Sequence, residues 1–489
     1  MSTTADDSPA SGGAAHQHAG LRDLFDYPLM AALQDRRTRR VAQGQSLTHG
    51  ALSYESPNEP SPLSPLEEAI LIASTSITGA VMHDGPLDKP NGKAELGTMF
   101  LEVTGRAASS ADNAQATSFF MINDEGVWLI KRPRGREAIE LMREIPPRWE
   151  DRTEDDWISF ANAVKRKVYD QRFQFPREWP YYLGWNGQHS NAPGTTCFLP
   201  VVDNTRQYIN VFLILLSEPR GKAPLFIDDW SRFKPSNAME WAAWAAAKIG
   251  LVDPIPYQPI GGLRRARGGF VSPDVPAPLG SLTTVRTDYE AHFLMQNLML
   301  AGEALRLGGW VHGAPMIPHV WKRDPASGNL GLGFREYSAK PASSRFKRWP
   351  PVPASQPNYV GIDGVLEGLC PPYVTDMDAA VDQVLEEKFG EGGTYADAEV
   401  FAQTYKDTAT AETYMKHAGH PPAEAVEYTK EICRYLVETY GRFPAHTDAF
   451  HLPGIWVQFS HLELEYYERF GNPAHTRRQA EGKEIWDRR

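Results

Sequence analysis

The sequence predicts an α+β fold. Two strand-like runs, SFFMI and VWLIK, flank Asn123, Asp124, Glu125 and Gly126, the signature of a hairpin. Helical periodicity marks other stretches and is concentrated toward the end of the chain, from about residue 375 onward. Strand and helix patterns mixed in this order describe a sheet with segregated helices.

The elements follow in chain order. The first twenty residues are rich in Ala, Ser, Gly and His and have neither a basic start nor an apolar run, so 1–20 reads as a disordered tail and not a secretory signal. LRDLFDYPLMAALQDRRTRR is a short amphipathic helix ending in a basic cluster. SPLSPLEEAILIASTSITG is a second helix, with Ser64 at the N-cap, Pro65 at the first position and Glu67 three residues after the cap. After the hairpin, 136–175 reads as helical and charged, 176–200 as irregular, YINVFLILLS as a buried strand and EWAAWAAAKIG as a short helix. Residues 251–284 read as a long loop. YEAHFLMQNLMLAGEALRLGGWVHGAP is a long helix, polar at Gln296 and Asn297, running into Gly308, Gly309 and Gly313. Helical patterns then continue, with a last helix at about 455–470.

Composition narrows the function. The chain has 489 residues, 42% apolar and 23% charged, as an ordinary globular protein does. A net charge of −11 argues against a broad nucleic-acid surface. The three cysteines, Cys197, Cys370 and Cys433, form no CxxC pair, which fits a reducing compartment. The apolar run VFLILL is far short of a membrane span, and cytoplasmic is the expected location.

Three constellations could carry chemistry. RRTRR, Arg36 to Arg40, can bind a phosphate bidentately, or can be a solvated basic turn at a helix end. Asn113 and Gln115, just before a strand, can read the edge of a heterocycle, or can belong to a turn. Gly308, Gly309 and Gly313 allow close approach of backbone to a ligand, or Gly308 caps the helix.

Taken in order, these motifs resemble the nitroreductase superfamily of FMN proteins. That family carries an early Arg-Arg-Ser/Thr-x-Arg, an Asn-x-Gln before a strand, and a central helix of the form QNLxLAAxALGLG. The matches here are Arg36-Arg37-Thr38-Arg39-Arg40, Asn113-Ala114-Gln115, and Gln296 through Gly308. The early part also looks similar to the SagB-type dehydrogenases of peptide tailoring. Arg306 stands where the LGLG motif has its first glycine. The resemblance implies a central antiparallel sheet flanked by helices, built from residues 21–135 and 286–365. It also implies an inserted, substrate-covering region at 136–285 and a helical C-terminal extension at 366–489.

The resemblance further implies a site. Arg36, Arg37 and Thr38 would hold the FMN phosphate and ribityl chain, and Arg40 would face the N1/O2 edge of the ring. Asn113 and Gln115 would face the ring or ribityl edge, with His312 and Gly313 at N5. Lys347 and Arg348, beside Arg345, would supply a second basic cluster. His189, Asp228, Asp229 and Arg232 in the inserted region are candidate substrate contacts, or ordinary salt-bridging residues. The implied activity is hydride or electron transfer between NAD(P)H and an aromatic or conjugated small molecule, in a homodimer. The alternatives are a non-catalytic flavin-binding or scaffold protein, an oxygen-coupled dehydrogenase of a natural-product or peptide substrate, and a metal site on His446, His451, His461, Glu463 and Glu465.

Overall fold

A computed structural model describes residues 18–486 apart from 82–101, 111–112, 185, 228–237, 239–240, 243–244, 247–248, 252–261, 281, 283, 338–357, 418 and 449–453. The fold is α+β around an antiparallel sheet. The hairpin forms as its sequence dictates, β1 (Thr117–Asn123) and β2 (Gly126–Ile130) joined through Asp124 and Glu125. Asn123 Oδ1 accepts from the Glu125 and Gly126 amides (3.0 and 3.1 Å), closing the turn with its own side chain. β3 (Lys165–Tyr169), β4 (Thr196–Asp203), β5 (Gly308–Gly313), β6 (Tyr359–Ile362), β7 (His446–Asp448) and β8 (Ile455–Ser460) belong to the same sheet, and the short strands Arg335–Glu336 and Leu366–Glu367 pair with β6. Six strands run antiparallel in the order β5-β8-β4-β1-β2-β3, and β7 and β6 extend the sheet from the other half of the β4 edge.

Alternation along β1 sends Phe119 and Met121 into one core and Phe120 and Ile122 into another, so the sheet is covered on both faces. The first core packs against α1 (Ala19–Asp26), α3 (Pro65–Ala73), α5 (Glu154–Val164) and the long α7 (Thr284–Ala304). α3 starts as expected. Ser64 Oγ accepts from the Glu67 amide (3.2 Å), and Glu67 Oε2 accepts from the Ser64 amide (2.8 Å). A third core joins α6 (Thr205–Leu216) to α8 (Met377–Phe389) and α9 (Ala423–Tyr440).

Several expectations are corrected. YINVFLILLS is helix α6 and not a strand; with most of its residues buried it has no polar stripe to reveal its period. The last helix does not begin at 455: IWVQFS is strand β8, between β4 and β5, and the helix is α10 (Leu464–Phe470). The loop at 251–284 contains the strand Val271–Pro278, parallel to Ala223–Ile227. The segment read as an insertion contributes β3 and β4, and the segment read as a helical extension contributes β7 and β8. The predicted first helix is two, because Pro28 separates α1 from α2 (Leu29–Asp35).

The long helix ends without a glycine cap. Arg306 takes the left-handed conformation (φ 60°) usual for glycine, and the Leu307 amide reaches back to Gly302 O (2.9 Å). Ion pairs to Asp23 (2.6 Å) and Glu481 (3.0 Å) hold the arginine there. Gly308 instead opens β5, where a Cβ would lie 2.1 Å from Leu462 Cδ2.

Candidate functional site

RRTRR runs extended from the end of α2. Thr38 pairs with Gly309 in a parallel bridge, and the Arg39 amide donates to Gly309 O (3.3 Å). An extended segment alternates its side chains. Arg37 and Arg39 turn one way, toward His475, Arg477 and Arg478 at the start of α11 (Arg477–Ile485). By the same alternation Arg36, Thr38 and Arg40 share the opposite face.

Arg39 is buried against Glu303 (2.8 Å) and also donates from Nε to His475 O. The pocket it lines with Arg37, Arg477 and Arg478 has a volume of about 120 Å³, with Asp35 and Glu303 also in its wall. Arg478 lies over the Tyr27 ring (3.6 Å), and its Nε and Nη2 are buried without hydrogen-bond partners. α11 carries no acid in its first turn and no side-chain cap, so its free amides add to the positive field. The pair Arg477-Arg478 was missed from sequence. Its signal was a further Arg-Arg dipeptide, in AHTRRQA.

On the other face, the Arg40 guanidinium sits 5.9 Å from the Trp310 ring centre and donates weakly to Asn186 Oδ1 (3.5 Å). Asn186 Nδ2 donates to Gly313 O (3.2 Å). The Tyr467 hydroxyl accepts from the Arg40 and Val41 amides (2.9 and 3.1 Å), which fixes the backbone under the arginine. Because Gly309 O accepts from the Arg39 amide, the 309, 311 and 313 amides of β5 face the edge away from β8. The Gly313 N–H is thus directed to the side where Arg40 and Asn186 lie.

Trp310 and His312 project from one face of β5 and stack at 3.9 Å. His189 meets the Trp310 edge at 6.1 Å, and its Nδ1 is 3.2 Å from Gln45 Nε2. Burial, then the Arg40 charge, pushes His189 down to about 4; burial, with His189 adding and Gln458 opposing, pushes His312 down to about 3. Both rings are neutral at physiological pH. Trp310 Nε1, both His312 nitrogens, Trp456 Nε1 and Ser190 Oγ are buried without hydrogen-bond partners. Buried polar atoms are seldom left so, and this many together mark a place for a polar ligand or ordered water.

Of the predicted residues, Arg40, His189, His312 and Gly313 therefore come together. Asn113 and Gln115 do not join them within one chain. Both have positive φ (51° and 46°) and lie by the first half of α7, near Glu290, whereas Arg39 meets Glu303. Along the helix that interval is about 20 Å. Gln115 is also spoken for: Nε2 donates to Thr104 O (2.9 Å) and Arg132 Nη1 donates to Oε1 (2.7 Å). Asn113 Nδ2 is buried and unpartnered. Asp228, Asp229, Arg232, Arg345, Lys347 and Arg348 lie outside the described residues.

The tail histidines divide. His451 lies outside the described residues, and His446 is in β7. His461 is buried in the packing of α3, with Nε2 3.1 Å from Glu67 and Nδ1 2.9 Å from Ser61 Oγ. Among the described residues, no group of three His, Cys, Asp or Glu could hold a metal ion, and no helix is long and apolar enough to cross a membrane. Comparison of the chain with protein-family models and with curated proteins finds no match.

Proposed function

We propose that this chain is an FMN-dependent oxidoreductase acting between NAD(P)H and an aromatic or conjugated small molecule. The observation that carries the reading is the cluster at the β5 edge, where one cation, one directed amide and a set of unpartnered buried polar atoms converge. FMN would supply the hydride or electron transfer. Arg40 would set a positive charge against the electron-rich edge of the ring, and the Gly313 amide would donate to it. The neutral rings of His189 and His312 add no competing charge. Arg36, on the same face of the run as Arg40, is a cation available to the phosphate, and Arg37, Arg477 and Arg478 line the pocket on the other face.

The reading requires a second copy of the chain. Tyr289 and Phe293 on α7, Leu29, Met30 and Leu33 on α2, and Val311 on β5 are all exposed. The loop preceding Asn113 adjoins the same helix, since Asn297 Nδ2 donates to Ala107 O (2.6 Å). A homodimer through this face would cover the apolar residues and offer the unpartnered Asn113 of each chain to the site of the other.

The test is the absorbance spectrum of the purified protein, followed by titration with FMN and then NADPH. A flavin spectrum that bleaches with NADPH and recovers supports the reading. Arg40→Ala is expected to weaken FMN binding about tenfold or more, as loss of a charge-assisted contact does. His461→Ala, compared per folded molecule, should leave binding unchanged. Equal effects of the two, or no binding by the parent, would count against the proposal.

A further inference from the structure

A second basic region lies away from this cluster. Two adjoining cavities, of about 310 and about 530 Å³, share Arg134, Glu137 and Arg206. They open where β1 starts and β2 ends, beneath α4 (Gly135–Arg143), the start of α6 and the end of α8. Volumes in this range suit a small organic ligand more than a bare ion.

The charges here are not all paired off. Arg206 is held by Glu387, Lys131 by Glu137 (2.7 Å), and Asp203 is occupied by the amide and hydroxyl of Thr205 (2.8 and 2.6 Å). Glu102, 3.5 Å from Arg132, is the carboxylate that Arg132, Arg134 and Lys388 share. Against the upward pull of burial, those cations and Arg206 hold Glu102 down at about 2. The remaining wall carboxylates, Glu367, Glu386 and Glu391, are exposed.

One cationic group is left over. Arg132, with a side chain only 8% exposed, is held by Glu102, 3.5 Å from its Nη2, and donates from Nη1 to Gln115 Oε1 (2.7 Å). The Arg134 side chain makes no hydrogen bond or ion pair among the described residues. It is an exposed side chain at the mouth of the cavity, with the Arg132 and Arg206 charges alongside. Arg134 is also the N-cap residue of α4, a nine-residue helix with no side-chain cap, so the first amides of α4 line the same space. Arginines crowded this way repel each other until an anion lies between them.

We propose that these cavities bind a phosphorylated small molecule, its phosphate gripped by Arg134 with Arg132 and Arg206 and its body in the larger chamber. The site lies away from Arg40 and Gly313; its wall includes Gln115 but not Asn113, and the proposal does not rest on the FMN reading.

The full-length protein is titrated calorimetrically with inorganic pyrophosphate, and with citrate as a carboxylate of similar charge. Saturable pyrophosphate binding is expected, weakened about tenfold or more in Arg134→Gln. Because the Arg134 side chain holds no partner, this variant should keep the parent urea midpoint, and Arg134→Lys should bind with intermediate strength. Arg478→Gln should leave the binding unchanged. The proposal is overturned if no saturable binding occurs, if citrate binds as well as pyrophosphate, or if Arg478→Gln removes the binding while Arg134→Gln does not. FMN titration of Arg134→Gln should match the parent, so failure of this site and failure of the flavin reading are separable.

Discussion

Two arginines in one short run should behave oppositely when removed. Arg39 and Glu303 form an ion pair at 2.8 Å with side chains 6% and 3% exposed. Arg39→Ala leaves the Glu303 carboxylate buried, with Gln479 Nε2 at 3.4 Å as its other hydrogen-bond donor. Removing one partner of a buried pair costs about 3–5 kcal/mol, chiefly because the other charge is left uncompensated. Set against a total stability of about 5–15 kcal/mol, that is a large loss. Arg37 is exposed, and its Nη1 donates only to the Gln34 and Arg36 carbonyls, so Arg37→Ala should stay within about 0.5 kcal/mol of the parent. Urea unfolding followed by tryptophan fluorescence measures both, with the slope held in common. Arg39→Ala combined with Glu303→Ala should be more stable than Arg39→Ala alone, because the stranded carboxylate is gone. If Arg39→Ala matches Arg37→Ala, or the double variant is no better than the single, the assignment of Arg39 as a buried structural cation is wrong.

Other outcomes follow from the same geometry. His189 and His312 are held neutral, at about 4 and about 3 against 6.5, so below about pH 6.5 the unfolded chain takes up protons that the folded chain refuses. Stability should therefore fall as pH drops toward about 4, by up to about 1.4 kcal/mol per unit for each ring, with no contribution above about 6.5. His312→Phe should flatten this fall relative to the parent in urea midpoints across that range; parallel profiles would contradict the burial. Phe293→Asp places a charge on the exposed face of α7 and should shift the protein toward monomer in sedimentation velocity; an unchanged distribution would remove that face as the dimer contact.

Local signals were legible in the sequence and distant ones were not. The turn at Asn123 and the capping box at Ser64 each depend on side chains reaching backbone two or three residues away, so their chemistry is written in one short string. α6 could not be read by period, because helices on its outer side bury what would have been a polar stripe. β8 carries an apolar, β-branched string but was absorbed into the helix that follows it. The arginine run was recognisable as a basic cluster. Which arginine is buried depends on a bridge to Gly309, far along the chain, that no local pattern announces. Of the cluster at the β5 edge, Arg40, His189, His312 and Gly313 were singled out in the sequence; Trp310, Asn186 and Gln45 belong to it only through tertiary contacts.

The position of β8 bears on how the chain is made. It is the last strand to leave the ribosome, yet it lies between β4 and β5 in the middle of the sheet. Until residues 455–460 emerge, β4 lacks its neighbour along Thr196–Phe198 and β5 lacks its full-length partner, leaving two exposed hydrogen-bonding edges on a nascent chain. A polypeptide cut short before that strand would present both edges to any other strand it met, so premature termination near the end should yield aggregate and not a trimmed, working protein.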